Sequence, residues 1–294
     1  MSEITENVEN IFDVENENEN ENDINYLARK NPHFRDEMIT FDEGPHIYTI
    51  NGDSGFTSVT TWNHSHFEKF DADKIIARMM SSKNWPKSKY FGKGVEEIKA
   101  MWDANRDSAA AAGTAMHYDI ECYYNEMTVS NESVEYSYFN NFLAAMERGA
   151  FCDGGKYALK PYRTEWMVFH EELRLAGSID MIFERDDGSG VLEIYDWKRC
   201  REITKSNAWN KCSSNPVIEH LPDTNYWHYC LQLNTYKAII ERKYGKKVDG
   251  MYLVCMHPEN KRKNFERIKV VDLSEEIGEL FAQRCEQLKH IEQT

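Results

Sequence analysis

The sequence predicts a mixed α/β fold. Its core runs helix, three-strand antiparallel meander, helix and strand, with helical additions before it and a further strand and helix after it. Two observations indicate this class. Short runs rich in Ile, Val, Phe, Tyr and Trp, such as 178–184 and 191–198, are bounded by turn residues, as strands are. Between such runs lie longer stretches with apolar residues at helical spacing. With 294 residues and 41% hydrophobic content, the chain can bury a sizeable core.

The first 25 residues form an acidic tail of low complexity. They carry nine Asp or Glu and no Lys or Arg, and they include an alternating Glu-Asn run over 15–22. This composition predicts a disordered segment, whose charge could recruit a protein partner. Without the tail the net charge of −15 becomes −6, so the acidic balance does not exclude a local basic strip that binds nucleic acid.

The compartment is predicted from export signals and cysteine spacing. The start of the chain lacks the basic and apolar regions of a signal peptide, and no apolar run approaches the roughly 18 residues of a membrane span. We therefore expect an intracellular protein, neither secreted nor membrane-bound, whose seven cysteines are reduced. None of the cysteines has CxxC spacing, which argues against a zinc ribbon or an iron–sulfur cluster.

Before the core, the sequence predicts a hairpin and a helix. Residues 38–41 and 46–50 are short apolar strands that flank the turn 42–45. Asp71 then opens a stretch whose apolar residues, including Ile76, recur at helical spacing.

The first core helix is predicted over 95–125, with an interruption or kink near Gly113. His117 and Glu121 lie four residues apart, so they share a helix face and can meet the same neighbour. A lone histidine on a helix is more often a structural residue than a ligand. Another helix is predicted over 133–148.

The meander comes next, as a strand over 162–170 and a hairpin of 178–184 with 191–198 around the turn cluster 186–190. After it the chain becomes basic and irregular. The sequence then predicts a helix over 227–244, strands over 249–256 and 265–271, and a last helix capped by Ser274. That helix carries an apolar stripe assigned to the core: Ile277, Leu280, Phe281, Leu288 and Ile291.

The hairpin carries the residues with the clearest chemistry. If its turn is tight, the numbers of paired residues sum to about 375, so Asp180 faces roughly Tyr195 and lies beside Asp196. Asp196 and Lys198 share one face of their strand. Two carboxylates and an ammonium on an apolar sheet are costly to desolvate unless they bind a metal or pair, and such hard oxygen ligands suit Mg²⁺ or Mn²⁺. The alternative is a solvated Asp-x-Lys pair on an exposed strand face.

Four short motifs follow one another along the chain. They are Gly113-Thr114-x-x-His117-x-x-x-Glu121, Gly177-x-x-Asp180, Asp196-Trp197-Lys198 and Gln232-x-x-x-Tyr236. Over roughly 58–256 the chain resembles a PD-(D/E)XK nuclease of the RecB-like and mitochondrial-genome-maintenance-exonuclease branch. The resemblance implies a restriction-endonuclease-like core and a single nuclease domain over 26–294. Within that domain it implies an N-terminal elaboration (26–112), a catalytic core (113–256) and a C-terminal strand and helix (257–294).

The resemblance also implies roles for individual residues. The carboxylates of Asp180 and Asp196, the main-chain carbonyl of Trp197 and the imidazole of His117 would ligate Mg²⁺ or Mn²⁺, and the histidine favours Mn²⁺ somewhat. Lys198 would orient or activate the attacking water and help to neutralise charge on the phosphate. Gln232 and Tyr236 would line the groove and hold the substrate strand, whereas Glu121 and Glu165 are candidates of second rank.

A metal-dependent deoxyribonuclease is therefore expected, and an exonuclease acting on DNA ends or single strands in replication, recombination or repair is preferred. The basic and aromatic residues after the hairpin suit single-stranded DNA: Arg199, Arg201 and Lys205 would contact phosphates, and Trp197 or Trp209 would stack on bases. Core packing is an equally good account of these tryptophans.

Two alternatives remain. One is a structure-specific endonuclease or a ribonuclease, because the same metal site cuts either sugar. The other is a non-catalytic scaffold, which predicts the loss of a ligand or of the lysine, and none is missing. The oligomeric state is open.

Overall fold

A computed structural model describes residues 23–152 and 156–292 of the chain, so nearly all of the predicted acidic tail lies outside the described residues. The described α-helices are α1 (Tyr26–Lys30), α2 (Val59–His64), α3 (Ala72–Met80), α4 (Val95–Tyr124), α5 (Val134–Glu147), α6 (Asn225–Lys243) and α7 (Ser274–Glu292). The described strands are β1 (Ile39–Asp42), β2 (Ile47–Ile50), β3 (Thr57–Ser58), β4 (Leu159–His170), β5 (Leu175–Arg185), β6 (Val191–Lys198), β7 (Lys247–Cys255) and β8 (Glu266–Lys269).

The strands form two sheets. β1 and β2 make the small antiparallel hairpin that the sequence predicts. In the larger sheet β4, β5 and β6 form an antiparallel meander, and β7 joins β6 in parallel after the crossover helix α6. β8 pairs antiparallel with β7, and β3 pairs with the start of β5. The predicted fold class and order of elements are confirmed.

Both faces of the larger sheet are buried. On one face Leu192 and Ile194 of β6 join a core that includes buried residues of α6 and α7. On the other face Tyr195 and Trp197 join a core that includes buried residues of α4 and α5. Because side chains alternate along a strand, Asp196 and Lys198 point to the α6 side of the sheet. Helices thus cover both sides of the strand that carries the Asp-Trp-Lys motif.

The predicted interruption near Gly113 is wrong. α4 runs without a break for 30 residues, through the predicted boundary between the N-terminal elaboration and the catalytic core. Apart from its chain neighbours and the backbone of its own helix, no described heavy atom lies within 4 Å of the position that a Cβ on Gly113 would occupy. The helix tolerates this glycine because four alanines, 109–112, precede it and are the strongest helix formers.

The hairpin register differs from the prediction by one residue. β5 continues to Arg185, whose guanidinium contacts the buried Glu193 of β6 and also Asp249. Paired residues therefore sum to 376, as in Met181 with Tyr195. A shift of one residue reverses which side chains share a face. In this register Asp180 lies opposite Asp196, so both carboxylates belong to the same face of the sheet.

The last helix also departs from the prediction. Ser274 is its first residue rather than its cap, and the Asp272 side chain accepts a hydrogen bond from the Ser274 amide. Ile277, Leu280 and Phe281 are buried, but Ile291 is 68% exposed, so only the first half of the apolar stripe belongs to the core. No helix within the described residues is long and apolar enough to cross a membrane.

Two glycine substitutions test this packing. A Cβ on Gly177 would lie 2.8 Å from Oη of the buried Tyr236, so Gly177→Ala should lower the free energy of unfolding by about 1–3 kcal/mol through overpacking. Gly113→Ala meets no neighbour and removes a mid-helix glycine, so it should raise that free energy by about 0.5–1 kcal/mol. Urea denaturation of both variants measures the difference, and destabilisation by Gly113→Ala would contradict the continuous helix.

Candidate active site

Three elements bring the predicted site residues together. His117 comes from the C-terminal third of α4, Asp180 from β5, and Asp196 and Lys198 from the end of β6. The β5–β6 contact is tight at this point, because the Trp197 amide donates a hydrogen bond of 2.9 Å to Oδ2 of Asp180. The carboxylate is therefore held against the strand that carries the Asp-Trp-Lys motif.

The His117 ring has a defined orientation. Its Nε2–H donates a 2.9 Å hydrogen bond to the carbonyl oxygen of Trp197, the same oxygen that was predicted to be a metal ligand. Nδ1 consequently faces two carboxylates, at 3.5 Å from Asp180 Oδ2 and 3.9 Å from Glu165 Oε1. Burial disfavours the imidazolium, but the charges of Asp180 and Glu165 outweigh it and raise the pKa of His117 to about 9.

Glu165 belongs to this site, although sequence reasoning gave it second rank. It lies in the middle of β4 at φ +40°, a conformation that a non-glycine residue rarely adopts, and Ser178 Oγ donates a 2.8 Å hydrogen bond to its Oε2. The pairs Thr164–Met181 and Trp166–Ile179 put Glu165 opposite Asp180. Strain of this kind concentrates at functional sites. Pairing the predicted β4 with β5 residue by residue could have found it.

One ligand atom from each of His117, Glu165 and Asp180 lies within 4.8 Å of the other two. We call these three residues the acid–histidine cluster. Burial, opposed by His117 and Lys198, raises the pKa of Asp180. Glu121 adjoins the cluster, and burial together with the charge of Glu165 raises its pKa to about 7. Burial thus disfavours the charged forms of these carboxylates, and a cation bound beside them would stabilise those forms.

Asp196 and Lys198 form a buried ion pair beside the cluster. Lys198 Nζ lies 2.6 Å from Asp196 Oδ2, and Asp196 is 2% exposed, so the alternative of a solvated pair is wrong. Burial and the charge of Asp180 raise the pKa of Asp196 to about 6, against the opposing effect of Lys198. Burial lowers the pKa of Lys198, but Asp196 and Asp180 outweigh it and raise that pKa above its ordinary value. Lys198 therefore stays cationic at neutral pH.

A pocket of about 530 Å³ opens at Lys198, and we call it the Lys198 pocket. Tyr229 and Gln232 of α6 line it together with residues of α2 and of the segment before α6. Lys198 Nζ lies 4.9 Å from the centroid of the Tyr229 ring. The pocket thus joins a cationic group to open space next to the acid–histidine cluster, and it includes Gln232 as the sequence predicts.

Other predicted substrate-binding residues lie elsewhere. Tyr236 of α6 is buried, and its ring packs against Gly177 of β5. Trp197 is buried in the core under α4 and α5 and has no free face for a base. Arg199 donates a 2.7 Å hydrogen bond to Glu135 of α5.

The remaining two cations of that stretch also have protein neighbours. Arg201 lies 3.6 Å from Glu259, and Lys205 lies over the Tyr226 ring. Neither of them lines the Lys198 pocket. Arg201 stays mostly exposed, so its ion pair with Glu259 lies at the surface.

The donor set fits a divalent cation. The acid–histidine cluster offers an imidazole Nδ1 and two carboxylates, and the nearby Asp196 offers a third carboxylate whose Oδ2 has no hydrogen-bond donor besides its ion pair with Lys198. Carboxylate oxygens suit Mg²⁺ and Mn²⁺, and imidazole adds affinity for transition metals. Asp180 is thus a member of the acid–histidine cluster, whereas the carboxylate of Asp196 is paired with Lys198.

A family model described as the PD-(D/E)XK nuclease superfamily matches residues 87–294, which is more than two thirds of the chain. The chain belongs to the PD-(D/E)XK nuclease superfamily. Members of this superfamily are generally metal-dependent nucleases, and all four motifs lie within the matched range. The match begins later and ends later than the resemblance over 58–256 predicted from the motifs. A search of curated proteins found no significant match.

Removing one carboxylate of the cluster should weaken metal binding. Glu165→Gln keeps the size of the side chain but removes a negative charge and a ligand oxygen, so the Kd for Mn²⁺ should rise at least about tenfold. Isothermal titration calorimetry measures it. Glu202→Gln is the matched control, because the Glu202 carboxylate pairs with the exposed Lys261 instead and belongs to no candidate metal group of the described residues. Equal Mn²⁺ affinity in wild type and Glu165→Gln would remove Glu165 from the site.

Proposed function

We propose that this superfamily member is a metal-dependent deoxyribonuclease, and specifically an exonuclease that acts on DNA ends or single strands in replication, recombination or repair. The observation that carries the nuclease assignment is the convergence of the acid–histidine cluster with the buried Asp196–Lys198 pair where β4, β5 and β6 lie side by side. Every residue type that phosphodiester hydrolysis requires is present there.

The chemistry follows from the donor set. A divalent ion held by His117, Glu165 and Asp180 would supply Lewis acidity to the phosphate and lower the pKa of a water molecule. Lys198, cationic and open to its pocket, can neutralise charge that develops on the phosphate oxygens. Gln232 lines the same pocket and can hold the substrate by hydrogen bonds.

The ion pair sets the position of the lysine. Asp196 holds Nζ of Lys198 at 2.6 Å and is itself buried under α6, so the ammonium cannot swing freely into solvent. If a substrate phosphate approaches Lys198, the carboxylate of Asp196 loses part of its pairing and becomes a better ligand for a metal ion. This exchange of partners would couple substrate binding to completion of the metal site.

We also propose membership of the RecB-like branch, on the strength of His117. A histidine in place of an acid lowers the negative charge of the site and favours Mn²⁺ relative to an all-oxygen site. The Trp197 carbonyl, which accepts the hydrogen bond from His117 Nε2, helps to hold the ring with Nδ1 toward the carboxylates.

Two features stay as predictions. Protein recruitment by the acidic tail concerns residues that lie almost wholly outside the described part of the chain. The proposed division of 26–294 into an N-terminal elaboration, a catalytic core and a C-terminal strand and helix is likewise our assignment. A structure-specific endonuclease or a ribonuclease would use the same groups, and a non-catalytic scaffold would keep the fold without turnover.

The proposed activity is tested with end-labelled single-stranded DNA, duplex DNA and RNA in the presence of Mg²⁺, Mn²⁺ or EDTA. Asp180→Asn and Lys198→Met should each lower the cleavage rate by about 100-fold or more, because each removes charge stabilisation of the transition state. Lys243→Met is the control for Lys198→Met, since Lys243 pairs with surface glutamates instead. Far-UV circular dichroism verifies that the variants are folded.

The products separate the candidate activities. An exonuclease should release mononucleotides or short oligonucleotides from labelled ends and leave closed circular DNA intact. Cleavage of closed circles would favour the endonuclease, and cleavage of RNA alone would favour the ribonuclease. Metal-independent binding with no cleavage of any substrate would overturn the catalytic proposal.

A further inference from the structure

A larger groove adjoins the Lys198 pocket. It has a volume of about 1480 Å³ and runs between α3, the segment up to residue 88 and the loop that carries Trp209. His64, Asp223 and His228 line both the groove and the Lys198 pocket, so the two spaces adjoin each other. We call this larger space the aromatic groove.

The lining of the aromatic groove includes large aromatic side chains that face solvent. Phe70 is 72% exposed and Trp209 is 70% exposed, and Trp85 also lines the groove. Aromatic residues of this size are normally buried, and an exposed set along one concave surface indicates a binding site. The exposed faces are of the kind on which nucleic-acid bases stack, whatever the base.

The groove is also locally basic in a chain whose net charge is −15. Its lining contains five cations (Lys69, Lys74, Arg78, Lys87 and Lys211) and three acids (Glu68, Asp71 and Asp223). The acids already have partners: Glu68 and Asp223 pair with Lys211, Glu68 also pairs with Lys74, and Asp71 caps α3.

Three cations of the groove have no acidic partner among the described residues. Lys69, Arg78 and Lys87 form no ion pair within residues 23–152 and 156–292. Arg78 instead lies over the Trp209 ring, 3.9 Å from its centroid, and so holds that ring at the rim of the groove. The surface therefore combines exposed aromatic faces with uncompensated positive charge.

We propose that the aromatic groove binds an unpaired DNA strand and leads it to Lys198. Phe70 and Trp209 stack on bases, while Lys69, Arg78 and Lys87 contact backbone phosphates. A duplex does not fit this chemistry, because its bases are stacked on one another and their faces are not available to side chains. The inference rests on the proposed deoxyribonuclease function and narrows its substrate to single-stranded DNA or to ends that separate into single strands.

The path differs from the one that the sequence predicts. Arg199, Arg201 and Lys205 lie after β6, whereas the aromatic groove lies on the side of α2 and α3. Most residues that line the groove precede α4 in the chain. The exceptions are Trp209 and Lys211 of one loop and the residues at or just before the start of α6. The N-terminal helices would thus select the substrate that the core cleaves.

Binding without turnover tests this proposal. Fluorescence anisotropy of labelled oligothymidine in EDTA compares wild type with Phe70→Ala, Trp209→Ala and the double variant Lys69→Gln/Lys87→Gln. Each aromatic substitution should raise the Kd for the single strand about fivefold or more, with little change in its salt dependence. The lysine variant should reduce the slope of log Kd against log salt by about 0.7 for each phosphate that the protein no longer neutralises.

Matched controls come from surfaces outside the groove. Phe34→Ala removes an aromatic ring that is 74% exposed elsewhere, and Lys269→Gln with Lys289→Gln removes two other exposed lysines. Wild-type affinity in the groove variants, or wild-type protein that binds blunt duplex as tightly as oligothymidine, would overturn the proposal. Cleavage by wild type with Mg²⁺ is scored separately. If the wild type cleaves DNA and the groove variants bind the single strand normally, the groove proposal alone is rejected. If the groove variants bind weakly but the wild type cleaves no DNA, the nuclease function alone is rejected.

Discussion

The pairing of β5 with β6 is the constraint on which the site depends. β5 continues to Arg185, which pairs with Glu193 and Asp249, and in the register of β5 with β6 Asp180 and Asp196 lie on one face. Sequestering two carboxylates there is unfavourable unless positive charge compensates them. Lys198 compensates Asp196, and His117 faces Asp180. The remaining negative charge, chiefly that of Glu165, is what a divalent ion would neutralise.

The surrounding packing holds these groups in place. The motif that contains Gly177 contacts the motif that contains Tyr236. This contact is possible because Gly177 of β5 lacks the Cβ that would collide with Tyr236 of α6. α6 therefore approaches the sheet closely enough to bring Gln232 and Tyr229 to the Lys198 pocket. On the other face the aromatic core around Trp197 holds α4 against the strand whose carbonyl orients His117. A glycine and a buried tyrosine thus position the site without contacting the reacting atoms.

Periodicity and turn residues were sufficient to predict the order of the core helices and strands, and the motifs pointed to His117, Asp180, Asp196 and Lys198, which the structure brings together. What they missed depends on contacts distant in sequence. Arg185 at the end of β5 pairs with Asp249 of β7, and Glu165 enters the site through an unusual backbone angle opposite Asp180. The exposure of an aromatic ring likewise cannot be predicted from its local sequence, since Trp197 is buried and Trp209 is exposed.

The most direct test of this account is anomalous diffraction from crystals grown with Mn²⁺. The account predicts a peak bounded by His117 Nδ1, Glu165 and Asp180, with carboxylate oxygens at about 2.1–2.2 Å from the ion. Loss of that peak in Asp180→Asn crystals would support the same assignment. A peak remote from these three residues, or none at saturating Mn²⁺, would contradict the claim that the register of β5 and β6 builds a metal site.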